Sequence, residues 1–133
     1  MTKLPDDSNN FKDIPINGHI CSLKVDGKRH YWKVEHLIQH SKNIKPTIIS
    51  IDKLIEKLGN STWFNTSENI TILKIIPHIQ RALNADLRYP IIISENGKIM
   101  DGAHRIVGAK LKEVKKLKAV QFKTNPIADY VKE

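Results

Sequence analysis

The sequence predicts an α/β (α+β) fold, a compact mixed sheet with packed helices behind an N-terminal hairpin and helix, and three observations lead there. Two turn dipeptides, Asp26-Gly27 and Asn96-Gly97, each separate short runs of strand-forming residues. Apolar residues recur at helical spacing in the segments between and after those hairpins. Two β-branched or apolar runs, Thr47 to Ile51 and Leu117 to Phe122, read as buried strands. With 133 residues, 40% of them hydrophobic and 27% charged, the chain closes one ordinary core, so a single domain is expected.

Residues 1 to 18 are rich in Pro, Asp, Asn and Ser and read as a flexible arm ahead of a domain at 19 to 133. Ile20 to Val25 and Lys28 to Trp32 form the first hairpin about Asp26-Gly27. Val34, Leu37, Ile38 and Ile44 then share one face of a short helix that Pro46 ends. The strand at Thr47 to Ile51 leads into a turn of helix at Lys53 to Leu58, and Gly59 to Thr62 break the pattern. Trp63 to Asn69 reads as a polar loop. Ile72, Ile75, Ile76, Ile79, Ala82 and Leu83 give another helical stripe, which Pro77 either starts or kinks. Ile91 to Ile93 and Lys98 to Met100 are strands about Asn96-Gly97; Asp101-Gly102 turns the second into a helix with Ala103, Ile106, Val107, Leu111 and Val114 on one face. Leu117 to Phe122 is the last strand expected, with an irregular tail after Asn125-Pro126.

One cysteine, Cys21, excludes an internal disulfide framework and a cysteine-rich zinc module, and suits a reducing compartment. The polar, acidic start lacks the features of a signal peptide and no apolar run reaches membrane-spanning length, so a soluble, cytoplasmic protein is expected. The formal charge is +8, which favours phosphate-bearing partners. Between residues 98 and 123 stand Lys98, Arg105, Lys110, Lys112, Lys115, Lys116, Lys118 and Lys123 against only Asp101 and Glu113. This is either a solvated face that keeps the chain soluble or a weak, salt-sensitive nucleic-acid surface.

The strand, Asp101-Gly102 turn and helix together can hold a phosphate. Gly102 permits a sharp turn and close approach, the first N–H groups of a helix point outward unpaired, and the helix dipole favours an anion. Arg105 adds a planar fork for phosphate oxygens, and His104 can donate a hydrogen bond or exchange a proton. The alternative is structural: Asp101 caps the helix, Arg105 is solvated and His104 packs beside the sheet.

The run Ile51-Asp52-Lys53-Leu54, the later Pro90-Ile91-Ile92-Ile93, the box Met100-Asp101-Gly102-Ala103-His104-Arg105 and Gly108-Ala109-Lys110 resemble the ParB N-terminal and sulfiredoxin superfamily over about residues 47 to 123. The resemblance implies a core of that fold, with residues 19 to 45 as an addition. It also implies that Gly102, Ala103, His104 and Arg105 bind the phosphates of ATP, ADP or CTP. Members differ in chemistry, and include sulfinic acid reductases, partition clamps and free-serine kinases. Sulfiredoxins carry a catalytic cysteine where this chain has Ala103, and partition proteins have a box richer in arginine and continue into a DNA-binding domain. The Asp-Gly-x-His-Arg form looks most like the kinase branch. This implies a nucleotide-dependent phosphotransferase or hydrolase acting on a small-molecule acceptor, with Asp101 near the transferred group and Mg²⁺, and His104 as its neighbour. The second carboxylate of that branch corresponds most nearly to Glu56, with Glu68 as the other option. The competing functions are a nucleic-acid-binding or nuclease-like module on the lysine-rich face and an inert regulatory fold.

Three aromatics, Tyr31, Trp32 and Trp63, are candidates for stacking on a base; Trp63, in its polar loop, is the best placed. His36 and His40 lie one helical turn apart but lack a readable third metal ligand, and read as the polar flank of the Leu37 and Ile38 stripe.

Overall fold

The computed structural model describes residues 20–64 and 67–132; the arm expected at residues 1 to 18 lies outside them. The chain opens with β1 (Ile20–Val25) and β2 (Lys28–Lys33), paired antiparallel about Asp26 and Gly27, whose φ angles of 51° and 80° are those the Asp-Gly turn requires. A short helix, α1 (Val34–Ser41), buries Leu37. Next come β3 (Thr47–Ser50) and α2 (Ile51–Leu58), whose start is capped by the Ser50 hydroxyl accepting from the Lys53 N–H. α3 (Ile72–Leu83) is capped the same way by Thr71, and Pro77 lies inside it, so this proline neither starts the helix nor ends it.

β4 (Ile91–Ile93) and β5 (Ile99–Asp101) form the second hairpin, and buried Ser94 ties its turn by accepting from the Lys98 N–H. α4 (Ala103–Leu111) follows at once, and β6 (Lys116–Gln121) closes a four-stranded sheet of order β3-β6-β4-β5. β4 and β6 run parallel while the other pairs are antiparallel, so the sheet is mixed as the sequence predicts. The tail departs from expectation. Tyr130–Lys132 forms β7, which adds antiparallel to β2 and makes a second sheet of order β1-β2-β7.

Alternation along the strands divides the interior into two cores on opposite faces of the four-stranded sheet. Ile91, Ile93, Leu117 and Ala119 face Ile51 and Leu54 of α2 and Ile106 and Ala109 of α4. Ile92, Met100, Val120 and Phe122 face the other way, onto Cys21, Trp32 and Leu37. The N-terminal hairpin and α1 therefore form a layer against that face of the sheet. Burial, with a lesser contribution from the charge of Asp101, pushes the Cys21 thiol up to about 12, so it stays protonated and unreactive. The tail locks this layer down: Trp32 Nε1 donates to the Pro126 carbonyl at 2.9 Å, and Asp129 accepts from the Lys33 N–H and pairs with His36 Nδ1, both at 2.7 Å. Trp32 is thus a core residue and His36 a hydrogen-bond partner of Asp129. No described helix is long and apolar enough to cross a membrane.

Candidate functional site

α4 begins where β5 ends, and Gly102 makes the turn with φ 114° and ψ 15°, a left-handed conformation that favours glycine. A Cβ there would also lie 2.5 Å from Ile91 Cδ1 and 3.0 Å from Arg105 Nη2, so the ends of both side chains would have to shift. Gly102 is itself the N-cap and has no side chain to offer the first turn of α4.

Asp101 does not cap the helix. Its carboxylate accepts from Arg105 Nη2 at 2.7 Å, one helical turn on, in a pair whose side chains are 23% and 16% exposed. This holds the guanidinium plane beside the helix start. The Nε of Arg105 is buried and has no hydrogen-bond partner among the described residues. Asp86 and Arg88, in the loop between α3 and β4, pair with each other nearby at 2.7 Å. Hydrogen bonds from Arg88, with a small contribution from the charge of Arg105, hold the Asp86 carboxyl down at about 2.

His104 brings in a residue that the sequence does not single out. Its Nε2 lies 2.9 Å from Nδ1 of buried His78 on α3, so a single hydrogen joins the two rings. The rings are nearly coplanar, and the Trp63 indole stacks over both, 4.6 Å from each centroid at interplanar angles of 0° and 6°. Phe64 meets His78 edge-on at 5.3 Å. Desolvation first, and the charge of Arg81 with it, pull the His78 pKa below its usual value, while Glu68 opposes them. His78 therefore favours the neutral form and can accept or donate the shared hydrogen without carrying a charge.

Comparison of the chain with protein-family models, with curated proteins and with solved structures finds no match. The site must be read from its own geometry.

Among the sequence candidates, Asp101, Gly102, Ala103, His104 and Arg105 form one turn, and Trp63 reaches it by stacking on His104. Trp63 thus spends one indole face on the chain's own histidines. Glu68 is close enough to act on His78, whereas Glu56 is an exposed residue of α2 for which no contact with Asp101 or His104 is found. No group of three or more His, Cys, Asp or Glu side chains gathers among the described residues. A protein-held Mg²⁺ would find Asp101 already engaged with Arg105, so these residues do not fit that ion as a resident of the protein. Two surface concavities lie elsewhere, one lined by Val25, Asp26, Lys28 and His30, the other by Asp52, Lys110 and Glu113 between α2 and α4.

The lysines of residues 110 to 123 are exposed, but they do not form one row. Lys110 and Lys112 stand at the end of α4, and Lys116 and Lys118 on β6, a strand with neighbours on both sides. No described helix or strand pairs them with a shape suited to a nucleic-acid groove.

Proposed function

We propose that the start of α4 binds the phosphates of a nucleotide and that the protein uses it in phosphoryl chemistry, as a kinase or nucleotide hydrolase of the ParB and sulfiredoxin type. The observation that carries this reading is the Nε of Arg105, a buried donor without a hydrogen-bond partner among the described residues, beside a helix start at which Gly102 offers no side-chain cap. An anion there would pair with the guanidinium at the positive end of the α4 dipole. Asp101 acts as the group that positions Arg105, and the His78 and His104 pair can relay one proton beside the bound phosphates. The described residues give no metal cage, so no step is assigned to a protein-bound ion. The acceptor is a small molecule, and nucleic-acid binding is expected to be weak and salt-sensitive.

A thermal-shift titration with ATP, ADP and CTP tests the reading, since a ligand that binds only the folded state raises the melting temperature. At about 100 times Kd the expected stabilisation is about 2.7 kcal/mol. Arg105→Ala should remove most of it. If each nucleotide at millimolar concentration leaves the melting temperature unchanged, the site does not bind phosphates. If stabilisation persists in Arg105→Ala, the nucleotide binds elsewhere.

A further inference from the structure

The rings of Trp63, His78 and His104 form a unit whose geometry depends on a proton count. His78 Nδ1 and His104 Nε2 are 2.9 Å apart, a separation that admits one hydrogen between them and not two. The two imidazole centroids lie 5.2 Å apart in nearly one plane, and the indole is 4.6 Å from each, so its centre stands over the hydrogen bond and one flat plate covers both rings. We propose that this unit is an acid-sensitive clasp between α3 and the start of α4, closed while the histidine pair carries at most one positive charge and opened, with release of Trp63, when both rings are protonated.

With both rings neutral, one donates and the other accepts. One added proton is tolerated, because the cationic ring still donates to the neutral one and the face of the indole attracts a cation. A second proton turns both facing nitrogens into donors, so two hydrogens and two like charges meet where one hydrogen fitted. The rings must then turn apart, and an indole lying flat over a coplanar pair cannot stay on both. The surroundings put this second protonation on the acid side. Lys74 and Arg81 stand within about one turn of His78 on α3, with Lys74 Nζ donating to the Asn69 carbonyl. Arg105 follows His104 and is paired with Asp101, and Asp86 and Arg88, after α3, are paired with each other. Desolvation first, and Arg81 with it, resist a charge on His78, and Glu68 favours one. Opening is therefore expected below about pH 6.5, the ordinary histidine value. It needs no bound nucleotide, so the clasp stands apart from the phosphate reading, and its release frees His104 beside Arg105.

The test is an NMR titration of the full chain without nucleotide, from about pH 7.5 to about pH 4.5, a range that brackets the ordinary histidine value. At the neutral end the ring protons of His78 and His104 should be displaced upfield together by the indole stacked on them. The ring nitrogen shifts report the charge on each histidine. The displacement should survive the first protonation and vanish from both rings with the second, at one midpoint shared by the Trp63 indole N–H. The amide signals of Ile106 and Ala109, in the core, should stay in place through that step. His78→Gln removes one titration and keeps the bond, since an amide can donate to His104 or accept from it, so the stack should persist to the acid end. His104→Gln should behave alike, and one folded variant suffices. Displacement that outlasts protonation of both rings overturns the proposal. So does its absence at neutral pH, or a pair still short of two protons at the acid end. Loss of the stack at the wild-type pH in a glutamine variant overturns it too, by moving the trigger to a carboxylate such as Glu68. Collapse of the Ile106 and Ala109 signals at the same midpoint does so by making the step one of global unfolding. Should neither variant fold, the wild-type titration decides the matter by itself.

Discussion

α3 and α4 pack against each other, and the sequence gives each an aliphatic stripe, yet they use those stripes in opposite ways. α4 drives Ile106 and Ala109 into the core above the sheet, where neither is exposed to solvent. α3 meets α4 through its smallest side, with Ala82 and His78 buried and Ile72, Ile76 and Ile79 left outside. The contact is close because Gly108 of α4 faces the backbone of Ala82. Periodicity shows that a helix has an apolar face; where small residues let two backbones approach decides which face is covered.

Substitution should expose this asymmetry first and most strongly in the core. Ile106→Ala removes a fully buried side chain and should cost about 3 to 4 kcal/mol in denaturant unfolding, whereas Leu73→Ala should cost less than about 0.5 kcal/mol. Equal losses would mean that the outer face of α3 is covered after all. Gly108→Ala sharpens the same comparison. On an open helix this change gains up to about 1 kcal/mol, but here the new Cβ would lie 2.0 Å from the Ala82 carbonyl oxygen, so a loss of about 2 to 3 kcal/mol is expected. The His78 to His104 hydrogen bond should separate with it, and the fluorescence of Trp63, stacked on both rings, would report the change.

Much of the fold was legible because its signals are local. Asp26-Gly27 and Asn96-Gly97 made their turns, since each depends on residues a few positions away, whereas the caps at Ser50 and Thr71 were not read. β7 was not legible. Tyr130, Val131 and Lys132 are too few to show alternation, and they become a strand only because the edge of β2, about a hundred residues earlier, is there to pair with. The site divides in the same way. The turn from Asp101 to Arg105 could be read from its residue types, although Asp101 proved to be the partner of Arg105 and not the cap. His78 could not, because its partner His104 is 26 residues away and its neighbours look like an ordinary apolar helix.

The smaller expected effects lie at the site. Asp101→Asn leaves the helix cap untouched, since Gly102 holds that position, and should cost about 1 kcal/mol for the partly exposed ion pair. On the proposed reading it should lower nucleotide turnover at least tenfold, about 1.4 kcal/mol of transition-state stabilisation, by freeing Arg105 to move. Unchanged turnover would restrict Asp101 to a structural role. The pH dependence is smaller still. The folded state lowers the His78 pKa, so its neutral form is favoured on folding and the unfolded chain binds more protons as pH falls below about 6.5. Stability should therefore decline from about pH 6.5 downwards as pH passes through the folded value, and His78→Gln should flatten that decline. An unchanged profile in the variant would remove His78 as its cause.

The most direct test of the phosphate site is an amide NMR titration of the isotopically labelled chain with ATP. The account predicts that the N–H signals of Gly102, Ala103, His104 and Arg105 and the side-chain Nε–H of Arg105 move first and together, while those around Lys116 and Lys118 stay in place. Shifts confined to the lysines of β6, or none at the start of α4, would contradict it.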